Sequence, residues 1–209
     1  MEFIELRSGN KIMIVGFGIK GLVSDGNAVR EKLNEFKPEA IFMGISPEEV
    51  EGLKNFIDDP FEIDMSDYEL IYGTLLSKFG AVEVPPPIFT QTVIYAKEND
   101  IPVNGLDVDE ETFGTRYEEE YTVSQMVGYI TKKRKLKKRN FDMETPEKFV
   151  MQWKHEIDKT RAMRNMEKMR EEAISENLYR LFEEGDKTRY FTIVEYEFNH
   201  EIRKKSNHV

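Results

Sequence analysis

The sequence has no cysteine, which excludes disulfides, thiolate metal sites and cysteine nucleophiles at once and fits a reducing, cytoplasmic setting. It has three histidines and one tryptophan, so imidazole chemistry has few places to reside. No apolar run approaches the ~20 residues that cross a bilayer. The opening MEFIELRSGNK lacks the basic start and apolar stretch of a secretory leader. A membrane partner is therefore not expected. No serine lies in a G-x-S-x-G elbow, and Lys20 is not followed by the Ser or Thr of a phosphate-binding P-loop. The chain shows no internal repeat and no low-complexity tract.

What is abundant is charge. Charged residues make up 33% of the chain and the net charge is −10, which argues against a general nucleic-acid binder. One stretch, Lys132-Lys133-Arg134-Lys135-Leu136-Lys137-Lys138-Arg139, runs the other way with seven positive charges. It suits either a polyanion or the negative pole of its own helix. It carries no interleaved aromatic side chain for base stacking, which favours a solvated basic helix end.

Hydrophobic patterning predicts an α/β fold with a mostly parallel central sheet flanked by helices. Phe3 to Leu6 and Lys11 to Val15 read as strands joined at Ser8-Gly9-Asn10. Buried strands follow at Ala40 to Met43, Ile101 to Leu106 and Thr188 to Val194. Helix starts stand at Asp25, Ser46-Pro47, Ser66-Asp67, Pro85-Pro86-Pro87 and Thr145-Pro146. Helical spacing covers Tyr117 to Lys138. A second long helix is predicted from Pro146 to Glu184, stopped by Gly185. The expected organisation is one domain over 1–209, with a helical insertion at 117–185 before the last strand. The tail beyond His200, with His208 in it, is expected to fray.

Several motifs bear on chemistry. Gly16-Phe17-Gly18-Ile19-Lys20-Gly21 satisfies G-x-G-x-x-G after a strand. However, Ser24 to Asn27 places the next helix start beyond the motif, and the following strand ends in Gly44 rather than a ribose-binding acid. A flexible loop at a strand's carboxyl end is the expected reading. Asp107 ends a strand amid the acids Asp109, Glu110, Glu111 and Glu118 to Glu120, which suit either acid–base work or a helix N-terminus. His200 follows the last strand, where α/β sheets open their ligand crevices, whereas His155 sits mid-helix. Met163, Met166 and Met169 form a packing stripe with Trp153 that buries against the sheet or against a second copy, so a homo-oligomer is a candidate state.

The chain also resembles the TraB, or pheromone-shutdown, family of the erythromycin-esterase/ChaN-like grouping. The resemblance lies in Ile14-Val15-Gly16-Phe17-Gly18-Ile19, then Ser24, then Lys37-Pro38-Glu39-Ala40-Ile41-Phe42-Met43-Gly44-Ile45. It continues in Pro85-Pro86-Pro87-Ile88, in Leu106-Asp107-Val108 with Thr112, Phe113 and Arg116, in Met163-Arg164-Asn165-Met166, and in Val194 through His200. The resemblance implies a metal-dependent hydrolase scaffold whose histidine and acids sit at the strand carboxyl ends. Here the family histidine falls on Ile19, one family acid on Gly44 and another on Ile88. What remains is Asp107, Arg116, Arg164 and His200, a set suited to anions more than to metals.

The expected function is therefore a non-catalytic binding or regulatory module with no catalytic residue, metal or cofactor. Its anion-binding cleft is assigned to Gly16, Gly18, Lys20, Asp107, Arg116, Arg164 and His200, with a small anion or a protein as partner. Two alternatives stand beside it. One is a metal-dependent hydrolase relocated to Asp107, Glu111 and His200. The other is a helical protein-interaction module.

Overall fold

The structure, a computed structural model, describes residues 1–121, 136 and 139–206. The predicted basic run falls largely outside these residues, with only Leu136 and Arg139 described, and His208 also lies outside them. The chain opens with a hairpin of β1 (Glu2–Ser8) and β2 (Lys11–Gly18), in which Ser8 pairs with Lys11 and Gly9 takes a left-handed φ of 58°. Then come α1 (Val23–Phe36), β3 (Ala40–Met43), α2 (Pro47–Asp58), α3 (Asp67–Leu76), α4 (Pro87–Asn99), β4 (Val103–Gly105) and α5 (Glu110–Glu120). The second half supplies α6 (Pro146–Ile157), α7 (Arg161–Glu184), β5 (Arg189–Glu195), a short 3-10 turn (Tyr196–Phe198) and α8 (Asn199–Ser206).

Five strands form one sheet in the order β1-β2-β5-β3-β4, parallel except for β1. The α/β class and parallel sheet expected from the sequence are what the chain adopts. Alternate residues of each strand feed opposite cores, as a pleat of period two requires. Ile14, Ile41, Met43, Phe191 and Ile193 pack with Val29 and Leu33 of α1, Val50 of α2 and Val93 of α4. Met13, Val15, Phe42, Tyr190 and Val194 pack with Ile174, Leu178 and Phe182 of α7 and Ile202 of α8. A third cluster sits over the strand carboxyl ends, where Ile19, Leu22 and Leu76 meet Phe141, Phe149, Val150 and Trp153.

Three sequence expectations change. The glycine-rich stretch is a loop only in its second half: β2 runs through Gly18, with Gly16 and Gly18 buried in it, and the loop is Ile19 to Gly21. A Cβ on Gly18 would come within 2.8 Å of Ile88 Cγ2, and one on Gly16 within 3.0 Å of Met1 and Phe3 side-chain carbons. Both glycines thus provide packing space rather than a phosphate cradle. The long helix from Pro146 to Glu184 is two helices. Thr160 restarts it by accepting a hydrogen bond from Met163 N at 3.3 Å, a capping hydroxyl that competes with helix continuation. Of the helical stretch expected from Tyr117 to Lys138, residues 122–135, 137 and 138 lie outside the described residues, and its start belongs to α5, which begins earlier at an Asp109 cap whose carboxylate accepts from Thr112 N at 2.7 Å. The long α7 precedes β5 as expected, and serves as the helix covering the second face of the sheet.

Candidate functional site

The sheet order fixes where a crevice opens. From β2 the chain turns into α1 on one face, and from the adjacent β5 it turns into α8 on the other. Neighbouring strands whose connections diverge leave a gap beyond their carboxyl ends, the topological switch point at which open α/β sheets bind ligands. Lys20 follows β2 and Glu195 ends β5, so the two face each other there, with Lys20 Nζ 3.3 Å from Glu195 Oε1.

A cavity of about 1090 Å³ opens at this point. Its floor holds Lys20, Glu195 and Glu197. Tyr72 of α3 and Trp153 of α6 form walls, and Met65, Leu70 and Val84 line the mouth. Those three mouth residues are 42%, 46% and 47% exposed, so apolar surface is presented to water at the entrance. The loop carrying Lys20 is anchored from below: buried Asp25 in the first turn of α1 accepts from Ile19 N at 2.8 Å. Gly21 supplies the turn with φ 103°, and Tyr72 donates its hydroxyl to Lys20 O at 3.3 Å.

The electrostatics divide the floor in two. Glu195 is 8% exposed. Burial opposes its ionisation, yet the charges of Lys20 and Arg170 outweigh burial and hold its carboxyl below the ordinary value. Glu195 raises Lys20 in return. For Glu197 burial and the negative charge of Glu195 act in the same direction, and its carboxyl is pushed up to about 7. Among the described residues, Glu197 Oε2 and Glu195 Oε1 are buried and accept no hydrogen bond; Lys20 meets Glu195 Oε1 as a charge, without hydrogen-bond alignment. Burial raises the Tyr72 phenol well above its ordinary value, so it remains a neutral donor.

Behind the floor the cations are matched. Arg170 Nε donates to Asp107 Oδ2 at 2.7 Å, and its Nη1 to Glu167 Oε1 at 3.2 Å. Burial still raises Asp107, with Arg170 opposing. Lys154 Nζ lies 3.4, 3.1 and 3.2 Å from carboxylate oxygens of Asp158, Glu167 and Glu171. Both cations also approach the buried Phe198 ring, at 5.7 Å for Lys154 and 5.4 Å for Arg170.

The residues singled out from sequence are dispersed. Lys20 lines the cavity; Gly16 and Gly18 are packed in β2. Asp107 does not end its strand, which stops at Gly105, but lies two residues beyond it and is turned onto Arg170. Arg116 lies on exposed α5 and pairs within its own helix with Glu119 and Glu120. Arg164 donates to Asp158 O and Lys159 O at 3.4 and 3.3 Å, covering the carbonyls freed where α6 ends. His200 is 81% exposed on α8, 3.2 Å from Glu201, and borders a smaller surface depression with Glu2 and Arg203. Glu111 is exposed on α5. Trp153 and Met166 are buried within the chain itself. Sequence reasoning missed Glu195, Glu197, Tyr72 and Arg170. The strand-end rule that singled out Asp107 would have found Glu195 had β5 been extended by one residue.

A metal does not fit the positions that the family resemblance assigns to one. Ile19 is 1% exposed in the apolar cluster over the strand ends. Ile88 is fully buried. At Gly44 a Cβ would lie 2.8 Å from Val194 Cγ1. Among the described residues no group of three or more histidines and carboxylates is placed to hold an ion. A comparison with models of known protein families gives no match, and a comparison with curated proteins gives none either.

Proposed function

We propose that the chain is a non-catalytic binding module, a divergent relative of the TraB family, that seats a small molecule at the carboxyl ends of β2 and β5. The observation that carries this reading is the cavity itself. It stands at the switch point of the sheet, has an aromatic wall and apolar mouth, and converges on three ionisable groups. None of those groups is a nucleophile held by a base, and Ile19, Gly44 and Ile88 bring no reactive atom to the strand ends. The anion expected from Asp107, Arg116 and Arg164 has little to hold it, because Arg170 engages Asp107, carboxylates engage Arg116 and backbone carbonyls engage Arg164. The cavity lining instead carries Glu69, Glu83, Glu195 and Glu197 against Lys20.

The test is a thermal-shift screen of divalent cations, nucleotides, anions and uncharged or cationic organic molecules, run on the wild type and on Val84→Trp, which fills the mouth. A compound that stabilises the wild type but not Val84→Trp is the expected result. Metal-dependent hydrolysis of peptide or ester substrates, with stoichiometric divalent metal in the purified protein, overturns the reading.

A further inference from the structure

Resting on the binding reading above, we infer that the ligand class is an organic ammonium, an amine head on an apolar or aromatic body. Its N–H groups donate to the carboxylates of Glu197 and Glu195, and its body lies along Tyr72 and Trp153 toward Met65, Leu70 and Val84.

The first ground is hydrogen-bond accounting. Buried carboxylate oxygens without donors are costly and rare. Two of them, on Glu195 and Glu197, belong to residues that line one cavity. A primary ammonium brings three donors, which both oxygens lack, and a positive charge, which Glu197 lacks. The second ground is charge. Lys20 and Arg170 serve Glu195, whereas Lys154 is held by three other carboxylates. Glu197 therefore has no cation of its own in contact among the described residues. The third ground is the wall. Tyr72 and Trp153, with ring centroids 5.5 Å apart, offer π faces that attract a cation and cover an apolar body. A neutral hydroxyl can donate to these carboxylates but brings no positive charge, and an anion adds repulsion.

Before a ligand binds, Glu197 holds its proton up to about pH 7, facing Glu195 on β5, Lys20 after β2, Lys154 on α6 and Tyr72 on α3. An arriving ammonium favours the ionised carboxylate, so the Glu197 proton leaves to water as the ion pair forms. Affinity then rises with pH through the neutral range, while the ligand amine stays protonated.

The experiment uses Trp153, the single tryptophan of the chain, as a fluorescent probe of its own cavity. The probes are phenethylamine and a series of alkylamines, each beside its alcohol and carboxylate counterpart. The expected result is amine binding at about 1 mM or tighter, preferred at least about tenfold over the matching alcohol. The preference should strengthen from pH 6 to 8 with proton release seen by calorimetry in paired buffers, and it should be lost in Glu197→Gln. The pH and proton-release arms use the unaltered protein, so they stand even if the variant folds poorly. Alcohols or carboxylates that bind as well as amines overturn the ammonium inference and leave the binding reading in place. No binding by any amine also overturns it, and the wider screen with Val84→Trp then judges the binding reading separately.

Discussion

The two ends of the sheet are built on opposite terms. At the amino-terminal end polar groups are closed off by one another. Glu39 Oε2 accepts from Thr188 N, Thr188 Oγ1 and Arg189 N at 3.0, 2.8 and 3.0 Å. Lys11 Nζ donates to Phe182 O and Glu183 O at 3.1 and 2.6 Å, covering the last carbonyls of α7. At the carboxyl end the cavity floor keeps carboxylate oxygens that accept nothing. One end uses its polar groups to join elements, and the other holds them in reserve at some cost to stability. Such unsatisfied groups persist where a site needs them.

This contrast can be attacked from four sides. Phe149 is fully buried and touches the rings of Tyr72, Phe79, Phe141 and Trp153. Phe149→Ala is expected to lower stability by about 4 kcal/mol in denaturant unfolding, since it empties the centre of the cluster above the strand ends. A loss under about 1 kcal/mol would mean that this cluster is not a packed core. Arg170→Ala strands the carboxylate of Asp107, which is 4% exposed in its side chain, and should cost about 3 kcal/mol. Restoring most of that stability with Asp107→Asn in the same chain would show that the penalty is the orphaned charge.

Glu197→Gln should act in the other direction. The folded chain holds the Glu197 proton more tightly than the unfolded chain, so stability falls as pH rises from the ordinary 4.5 through about 7. At pH 8 the variant should be more stable than the wild type by on the order of 2 kcal/mol, with little difference at pH 4. Equal curves at both values would remove the buried acid from the account. At the opposite end, Glu39→Ala should cost only about 1 kcal/mol, because its three bonds are close to water. The sign of its pH response is reversed. Glu39 is lowered chiefly by its hydrogen bonds to Thr188, so its contribution is present at neutral pH and fades as pH falls through the carboxylate range.

The fold was legible because strands buried on both faces and capped helix starts leave strong local patterns. Ser46 and Ser66 each make the full capping box, with Glu49 and Glu69 reaching back, as their spacing implies. The break between α6 and α7 was not legible, since Asp158-Lys159-Thr160 contains neither glycine nor proline, and the restart rests on one hydroxyl. Of the site, Lys20 was reached through the strand-end rule. Glu195 was hidden by a one-residue error in the end of β5, and Glu197 lies in the 3-10 turn beyond it. Tyr72 and Trp153 look in sequence like ordinary core aromatics on helices, and only the placement of α3 and α6 over the crevice gives them a wall to form. Arg116 and Arg164 stand out through the family resemblance, but their partners lie three to six residues away in their own helices and turns, a distance at which sequence shows opportunity without geometry.

The central position of β5 has a consequence for how the chain comes together. Its two neighbours, β2 and β3, are made early, but the strand that joins them is the last of the five to leave the ribosome. Until residues 189–195 arrive, β2 and β3 each present an unpaired, fully apolar edge, and the hairpin and the helices of the first face have no sheet to settle on. Assembly is thus gated by contacts of very long sequence separation, a slow route that leaves nascent chains exposed to edge-to-edge association. A chain interrupted before Arg189 would carry most of the core residues and still be unable to build the sheet.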